Sequence, residues 1–464
     1  MHYYLYIFLC ALLTCCNFAP KYVRPPLTVA PLLSDHNEGL TEDAQNLLPS
    51  WKEFFISSSL QLAIQSSLDN NKDLKIALFN IEKSRAIYRI QKSALFPTID
   101  FQGSMSQEKI PETTSQTGKA HISRQYNSNF SGTYIIDLFA RAQNLNEAAI
   151  ESYLASEKAY QAVKAALIAQ TASLYFQWIS DRQIMNFLQD ILNIQQSNYN
   201  IAKASYQQGS SSMLDLMQAA ASIEAAKVNL ANYVHLVEQD KHALMILTGM
   251  QDLNIFPSNE TLDQMQLNNN FTINLSSETL LTRPDIQQAE HLLKAQNANV
   301  EAARKAFFPI ISLTGMLGFT STALSNLFNG GVTSGTWNFT PQLTLPIFDG
   351  GKNVATLEEV KADHKISLAN YEKAIENAFR EVADELAART KLNNQIKAQT
   401  EIVKAAYNTY NLVSISYNVG QSNYLTALNA QQALLTVQQN YIMLQLQHLT
   451  NSVNLYQGLG GGVQ

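Results

Sequence analysis

Apolar and polar positions alternate strictly in four short stretches. Ile99, Phe101, Gly103 and Met105 are interleaved with Asp100, Gln102, Ser104 and Ser106, and Phe130, Gly132, Tyr134, Ile136 and Leu138 follow the same period. Further on, Ile311, Leu313, Gly315, Leu317 and Phe319 alternate with Ser312 and Thr314. Trp337, Phe339, Pro341, Leu343, Leu345 and Ile347 alternate with Thr336, Asn338, Thr340, Gln342 and Thr344. Period two predicts two-faced strands over about 98–107, 128–139, 310–320 and 336–347. Such a strand suits a membrane barrel, apolar toward lipid and polar toward a wet lumen, and equally a half-buried soluble sheet. Between them prolines vanish, from Pro111 to Pro257 and again after Pro346, and good helix formers take over. Apolar residues there step by sevens: Leu216, Ile223, Leu230, Val237, Leu244, and then Leu428, Leu435, Ile442, Leu449, Tyr456. A sustained seven-residue repeat predicts packed, coiled-coil helices. Gly209 and Gly420 interrupt the tracts as tight turns, which gives helical hairpins over about 140–248 and 350–457. An arm of about 60 to 70 residues reaches roughly 100 Å at the α-helical rise.

The two halves are copies, with a period near 211. Asp73-Leu74 leads to Phe96-Pro97 as Asp285-Ile286 leads to Phe308-Pro309, and Tyr206-x-x-Gly209 matches Tyr417-x-x-Gly420. The repeats are expected over 61–257 and 258–464, each holding two strands and a hairpin. The unit is too long for a solenoid repeat. The two series of sevens lie one position out of step under this offset.

Composition narrows the class. The 464 residues carry 46% hydrophobic but only 15% charged side chains and a net charge of −6, so no basic face exists for nucleic acid. All three cysteines, Cys10, Cys15 and Cys16, lie at the amino end, so the body can hold no disulfide and no thiolate metal site. Leu5 to Leu13 form an apolar block of signal-peptide size, and Leu13-Thr14-Cys15-Cys16 resembles a bacterial lipobox. Residues 1–15 read as a lipoprotein signal peptide and 16–60 as a lipid-anchored segment, with diacylglycerol and a fatty acyl group on Cys16. Asn17, in place of an aspartate, favours outer-membrane sorting. No 18-residue apolar run offers a spanning helix.

Four strands cannot close a barrel, and an open sheet edge facing lipid leaves backbone groups unpaired at several kcal/mol each. Identical neighbours must supply the missing strands, and three copies leave a wider passage than two. Five segments then carry a family resemblance: Cys16-Asn17-Phe18-Ala19-Pro20-Lys21-Tyr22-Val23-Arg24-Pro25, Leu281-Thr282-Arg283-Pro284-Asp285-Ile286, Pro346-Ile347-Phe348-Asp349-Gly350-Gly351, Ala378-Phe379-Arg380-Glu381-Val382-Ala383-Asp384, and Leu455-Tyr456-Gln457-Gly458-Leu459-Gly460-Gly461-Gly462. In this order they resemble a TolC-like outer-membrane efflux factor of the OprM-type lipoprotein subgroup.

The resemblance implies a mixed α+β membrane protein, a homotrimer in which four strands per chain join a twelve-stranded β-barrel continued by an α-helical barrel. It would be a passive exit duct in the outer membrane of a Gram-negative bacterium for small molecules such as drugs. An inner-membrane pump of RND type would deliver them through a periplasmic adaptor, with no cofactor. The turns at Gly209 and Gly420 would be adaptor-docking tips. Asp215 matches an acidic residue that tethers the closed tip, or on its residues alone a helix-start acid, and Tyr417 matches a tyrosine of the same network. Thr426 also falls at the constriction. Ser422 stands where the family's type member has an arginine, and Asn429 where relatives carry an aspartate, which makes the expected ring neutral.

Two rivals share part of this pattern. A lipid-anchored periplasmic coiled-coil scaffold has no use for four two-faced strands, and a type I protein-secretion duct shares the fold. An enzyme is not expected: the histidines are scattered without an HExxH, His235 and His242 lie two turns apart as a solvated pair, and Gly351-Lys352-Asn353 fails the phosphate-loop pattern. Arg283 and Asp285 around Pro284, like Asp349-Gly350-Gly351, read as structural starts of helices.

Overall fold

The computed structural model describes residues 22–25, 32–33, 48–268, 275–276, 280–329 and 334–462. The leader and Cys16 lie outside the described residues. In chain order the elements are β1 (Leu32–Leu33), α1 (Trp51–Phe54), α2 (Ser58–Asn70), α3 (Lys72–Ser93), β2 (Thr98–Ile110), β3 (His121–Ile136), α4 (Arg141–Gln207), α5 (Met213–Thr248), a 3₁₀ turn (Leu262–Gln264), β4 (Leu275–Ser276), α6 (Pro284–Lys305), β5 (Ile310–Ser321), α7 (Asn326–Asn329), β6 (Gly335–Thr344), α8 (Lys352–Asn418) and α9 (Tyr424–Gly458). The duplication is visible in their lengths: α3 and α6 have 22 residues each, and α4 and α8 have 67 each. Among the described residues no helix is long and apolar enough to cross a membrane.

The chain divides into two compact units. The first, 1–26, 80–156 and 288–371, holds the four-stranded antiparallel sheet in the order β2-β3-β5-β6. Its register stacks apolar residues on one face: Phe101 opposes Phe130, Phe130 opposes Leu317, and Leu317 opposes Trp337. The other face is polar, with Gln102 against Asn129, Asn127 against Thr320, and Thr314 against Thr340. Side chains directly opposite in an antiparallel ladder share a face, so the two-faced alternation runs across all four strands, with Ile135, Ile310 and Met316 as apolar residues on the polar face. The apolar face is bare: Phe101 is 62% exposed, Leu317 67% and Trp337 75%. Both outer strands, β2 and β6, have one unpaired edge, and Pro341 sits in an edge strand, where a missing donor is tolerated.

Strand ends depart from the alternation. β3 begins at His121, ahead of 128, because polar residues there pair with β2 as far as Ile110. It stops at Ile136, where Leu138 turns back to donate to the Ile136 carbonyl. β6 stops at Thr344 rather than 347, since Pro346 has no N–H to continue the ladder.

In the second unit, 27–79, 157–287 and 372–464, the regular structure among the described residues is helical apart from the short β1–β4 pair and an isolated bridge between Phe55 and Leu267. Its core joins Phe54, Phe55 and Ile64 to Tyr175, Phe176 and Ile179 of α4, Val237 and Leu244 of α5, and Ile442, Leu449 and Tyr456 of α9. The seven-residue series are thus buried seams. The one-position mismatch has a cause: α9 also buries Leu434 and Leu455, which are in register with Ile223 and Leu244, so it carries two adjoining seams. Tyr456 stacks on Phe54 at 4.0 Å and donates its hydroxyl to the Pro49 carbonyl at 2.7 Å.

Candidate functional site

The turns that end the two helical hairpins form one cleft of about 510 Å³ in the second unit, with Ser205, Asp215, Tyr417, Gly420, Ser422 and Tyr424 in its wall. Both hairpins reverse alike. After α4, Gly209 takes φ 74° and the Ser210 amide donates to the Ser205 carbonyl at 2.9 Å; after α8, Gly420 takes φ 76° and the Gln421 amide donates to the Ser416 carbonyl at 2.8 Å. A side chain at either glycine would meet open space, so the left-handed backbone alone selects glycine. Ser212 then caps α5 and Asn423 caps α9, each accepting from the amide three residues on.

Asp215 is the reciprocal member of the first cap. Its carboxylate accepts the Ser212 amide at 3.2 Å and the Ser212 hydroxyl at 2.9 Å. The helix-start role is therefore occupied in this conformation. Asp215 also faces Tyr417, whose phenol burial pushes upward in pKa, reinforced by Tyr424 and then Asp215. Thr426 donates its hydroxyl to the Asn423 side chain at 2.8 Å. The cleft gathers Asp215, Tyr417, Gly420 and Ser422, whereas Gly209, Thr426 and the exposed Asn429 lie outside its wall.

Beneath the cleft the structure adds residues that the apolar pattern hides. Tyr424 is buried between Ala202 and Ala219, its ring 5.9 Å from Tyr417. It donates to Gln195, which donates in turn to Gln431 at 2.9 Å, tying α4 to α9 through buried amides. Tyr424, Gln431, Gln438 and Gln445 follow one another by sevens, a polar series three residues out of phase with the leucines, and that spacing was the available signal.

A second missed pair is Asp181 of α4 and Asp240 of α5. Burial, and then the neighbouring Asp181, pushes Asp240 up to about 7. An acid raised in the folded state binds its proton more tightly there than in the unfolded chain, so stability falls as pH rises from about 4 through 7. Asp240→Asn is expected to flatten the thermal midpoint between pH 5 and 8 and to exceed the wild type by several degrees at pH 8. Parallel pH profiles of the two proteins would contradict this.

Three of the sequence marks converge elsewhere in this unit. Arg283, buried, donates twice to Asp285 (3.1 and 2.8 Å), to Glu381 of α8 at 2.9 Å, and to the Gly458 carbonyl that ends α9 at 3.0 Å. A Cβ on Gly458 would press to 3.2 Å from Val382. In the first unit Arg24 clasps Glu290 of α6 in a two-pronged pair, and Lys294 joins the same carboxylate at 3.2 Å. Among the described residues no cluster of His, Cys, Asp and Glu suits a metal ion, and His235 and His242 face solvent.

The family model described as "Outer membrane efflux protein" matches residues 63–250 and 275–461, one match on each repeat. The chain belongs to this family. Among relatives of this efflux protein, the probable efflux pump outer membrane protein TtgC of Pseudomonas putida is 40% identical over 451 residues, 96% of this chain and 93% of the other. The cation efflux system protein CusC of Escherichia coli O157:H7 is 36% identical over 97% of each. The open state of the Neisseria gonorrhoeae MtrE outer membrane channel superposes with a TM-score of 0.87 at 33% identity, covering 97% of this chain and 99% of that one. This efflux protein is accordingly an outer-membrane channel component of an efflux system, and its fold is that of a mixed α+β membrane protein.

Proposed function

We propose that three copies of this efflux protein close a twelve-stranded barrel and form the passive outer-membrane duct of a tripartite pump. The observation that carries this reading is the sheet: one face apolar and bare, the other polar, and both edges open. Embedded alone, it would expose unpaired backbone to lipid; with copies on either side each edge finds a partner and the polar faces line water. An acyl group on Cys16 supplies a further anchor. The turns at Gly209 and Gly420 dock a periplasmic adaptor, and an inner-membrane pump of RND type delivers small, toxic organic molecules. The wall of the duct carries no chemistry of its own; energy comes from the pump.

Purified protein in planar bilayers is expected to give discrete single-channel steps, and lipid-embedded protein without conductance would contradict the duct. The gate follows from threefold symmetry, which repeats each side chain as a ring. Asn429 makes a neutral ring, held with the Asp215 and Tyr417 cleft by packing and hydrogen bonds. Asn429→Asp is expected to create three close carboxylates and to strengthen divalent-cation block of the current severalfold. Unchanged block would take Asn429 out of the constriction.

A further inference from the structure

The contacts at the tip do not end at the cleft. The Tyr417 ring lies 5.9 Å from Tyr424, and the Tyr424 hydroxyl donates to Gln195 Oε1 at 3.2 Å. Gln195 Nε2 donates onward to Gln431 Oε1 at 2.9 Å. The bonds therefore run one way, from phenol to amide to amide, and lead from the cleft into the packed interior. Gln195 stands well inside α4, roughly 18 Å from its end at Gln207 by the α-helical rise.

Both amides hold seam positions whose neighbouring rungs are apolar or aromatic. On α4, Leu188, Gln195 and Ala202 follow one another by sevens, and all three are buried. On α9, Tyr424 and Gln431 are buried one heptad apart. Gln195 is 4% and Gln431 3% exposed. Taking an amide out of water costs free energy unless new partners replace the lost ones, and here the replacement is incomplete: Gln431 Nε2 has no partner among the described residues. That nitrogen is already shut off from the surface of the single chain, so a neighbouring copy cannot supply the missing acceptor.

A leucine in either place would avoid the cost. Polar residues at coiled-coil seams are retained where they fix register, because apolar side chains pack acceptably in several registers and a directional bond forms in one. The chain here joins the two hairpins, since Gln195 belongs to α4 while Tyr424 and Gln431 belong to α9. A slide of one helical turn, about 5.4 Å, would break both bonds at once.

We infer that the Gln195–Gln431 pair is a register pin: it fixes the α8–α9 hairpin against the α4–α5 hairpin, keeps the tip from opening separately from the helical core, and parts when the aperture changes. Its consequence for the aperture rests on the duct reading, whereas the pin itself lies within one chain.

Gln195→Leu and Gln431→Leu, singly and together, are compared in the full-length protein by thermal unfolding and by hydrogen exchange read by mass spectrometry. Each single variant strands the other amide and is expected to lower the midpoint by a few degrees; the double variant removes both amides and should regain the wild-type midpoint or exceed it. At that restored stability the turns around Gly209 and Gly420 are expected to exchange about tenfold faster, equivalent to about 1.4 kcal/mol of local opening, with the core around Tyr175 unchanged. A pair that only filled the interior would move neither turn once stability returned. In planar bilayers the double variant should spread its conductance over more than one level. Wild-type protein without conductance would count against the duct and leave exchange to decide the pin. If the double variant fails to fold, Tyr424→Phe keeps the ring, loses the first bond, and is expected to speed exchange at both turns about threefold. Wild-type exchange at the turns in a folded double variant or in Tyr424→Phe, or a double variant no more stable than the singles, would overturn the inference.

Discussion

Arg283→Ala is expected to destabilise the protein by about 3 kcal/mol, the lower end of the range for removing one partner of a buried charge network. Three segments lose a common anchor at once: the start of α6 at Asp285, the middle of α8 at Glu381, and the carbonyl at Gly458. The partly exposed carboxylates can be rehydrated, which limits the loss; the Gly458 carbonyl has no such relief, because Arg283 reaches it in a buried setting. Arg283→Lys should recover little, since an ammonium lacks the planar fork that meets Asp285 twice while also reaching two other acceptors. Thermal unfolding followed by the helical circular dichroism signal measures both variants. Midpoints within a degree of the wild type would show that the convergence of these marks is not what holds the unit.

A charge placed on one face of the sheet should act very differently from the same charge one residue away. Phe339 lies on the apolar face opposite Gly315, and Asn338 lies on the polar face opposite Met316. Phe339→Lys is expected to cost about 2–4 kcal/mol per chain if it reaches the hydrocarbon midplane, enough to abolish outer-membrane assembly when repeated three times. Asn338→Lys should assemble normally and shift ion selectivity toward anions through a ring of positive charge. Membrane fractionation and reversal potentials read the two effects. Normal insertion of Phe339→Lys, or failure of Asn338→Lys alone, would reverse the assignment of the faces.

Much of this architecture was legible in the sequence because periodicity reports local burial. Alternation from Ile99 to Met105 and from Trp337 to Leu343 marked the sheet's two faces, and the leucine series from Leu216 and Leu428 marked the seams of the hairpins. Strand ends were less legible: His121 pairs only because β2 continues opposite it, and β6 stops where Pro346 removes a donor. α3 was hidden, and α6 was legible only at its start around Pro284, for another reason. Each carries exposed apolar residues, such as Ile76, Phe79 and Ile90 in α3 and Leu292 in α6, so no single stripe separates a buried from a wetted side.

The site divides in the same way. Gly209 and Gly420 could be found because a left-handed turn demands glycine. Asp285 is a near neighbour of Arg283, but its other two partners lie 98 and 175 positions away, and no spacing rule links such groups. Gln195 and Gln431 likewise look like surface amides until α4 and α9 pack together and bury them. The pairing of Asp181 with Asp240 depends on how α4 meets α5, a relation that neither helix states alone.

The central claim is that the open edges of β2 and β6 meet in neighbouring copies. Within one chain these strands lie at opposite edges of the sheet, separated by β3 and β5, so a disulfide between them must join two subunits. The body of the protein has no cysteine, which leaves a clean background for pairs such as Gln102→Cys on β2 with Asn338→Cys on β6, stepped along the strands to find the register. Oxidised in native membranes and run under denaturing, non-reducing conditions, the matching pair should give a ladder of one, two and three chains that ends at three. A ladder that never leaves the monomer for any pair, or one that ends at another number, would contradict the account.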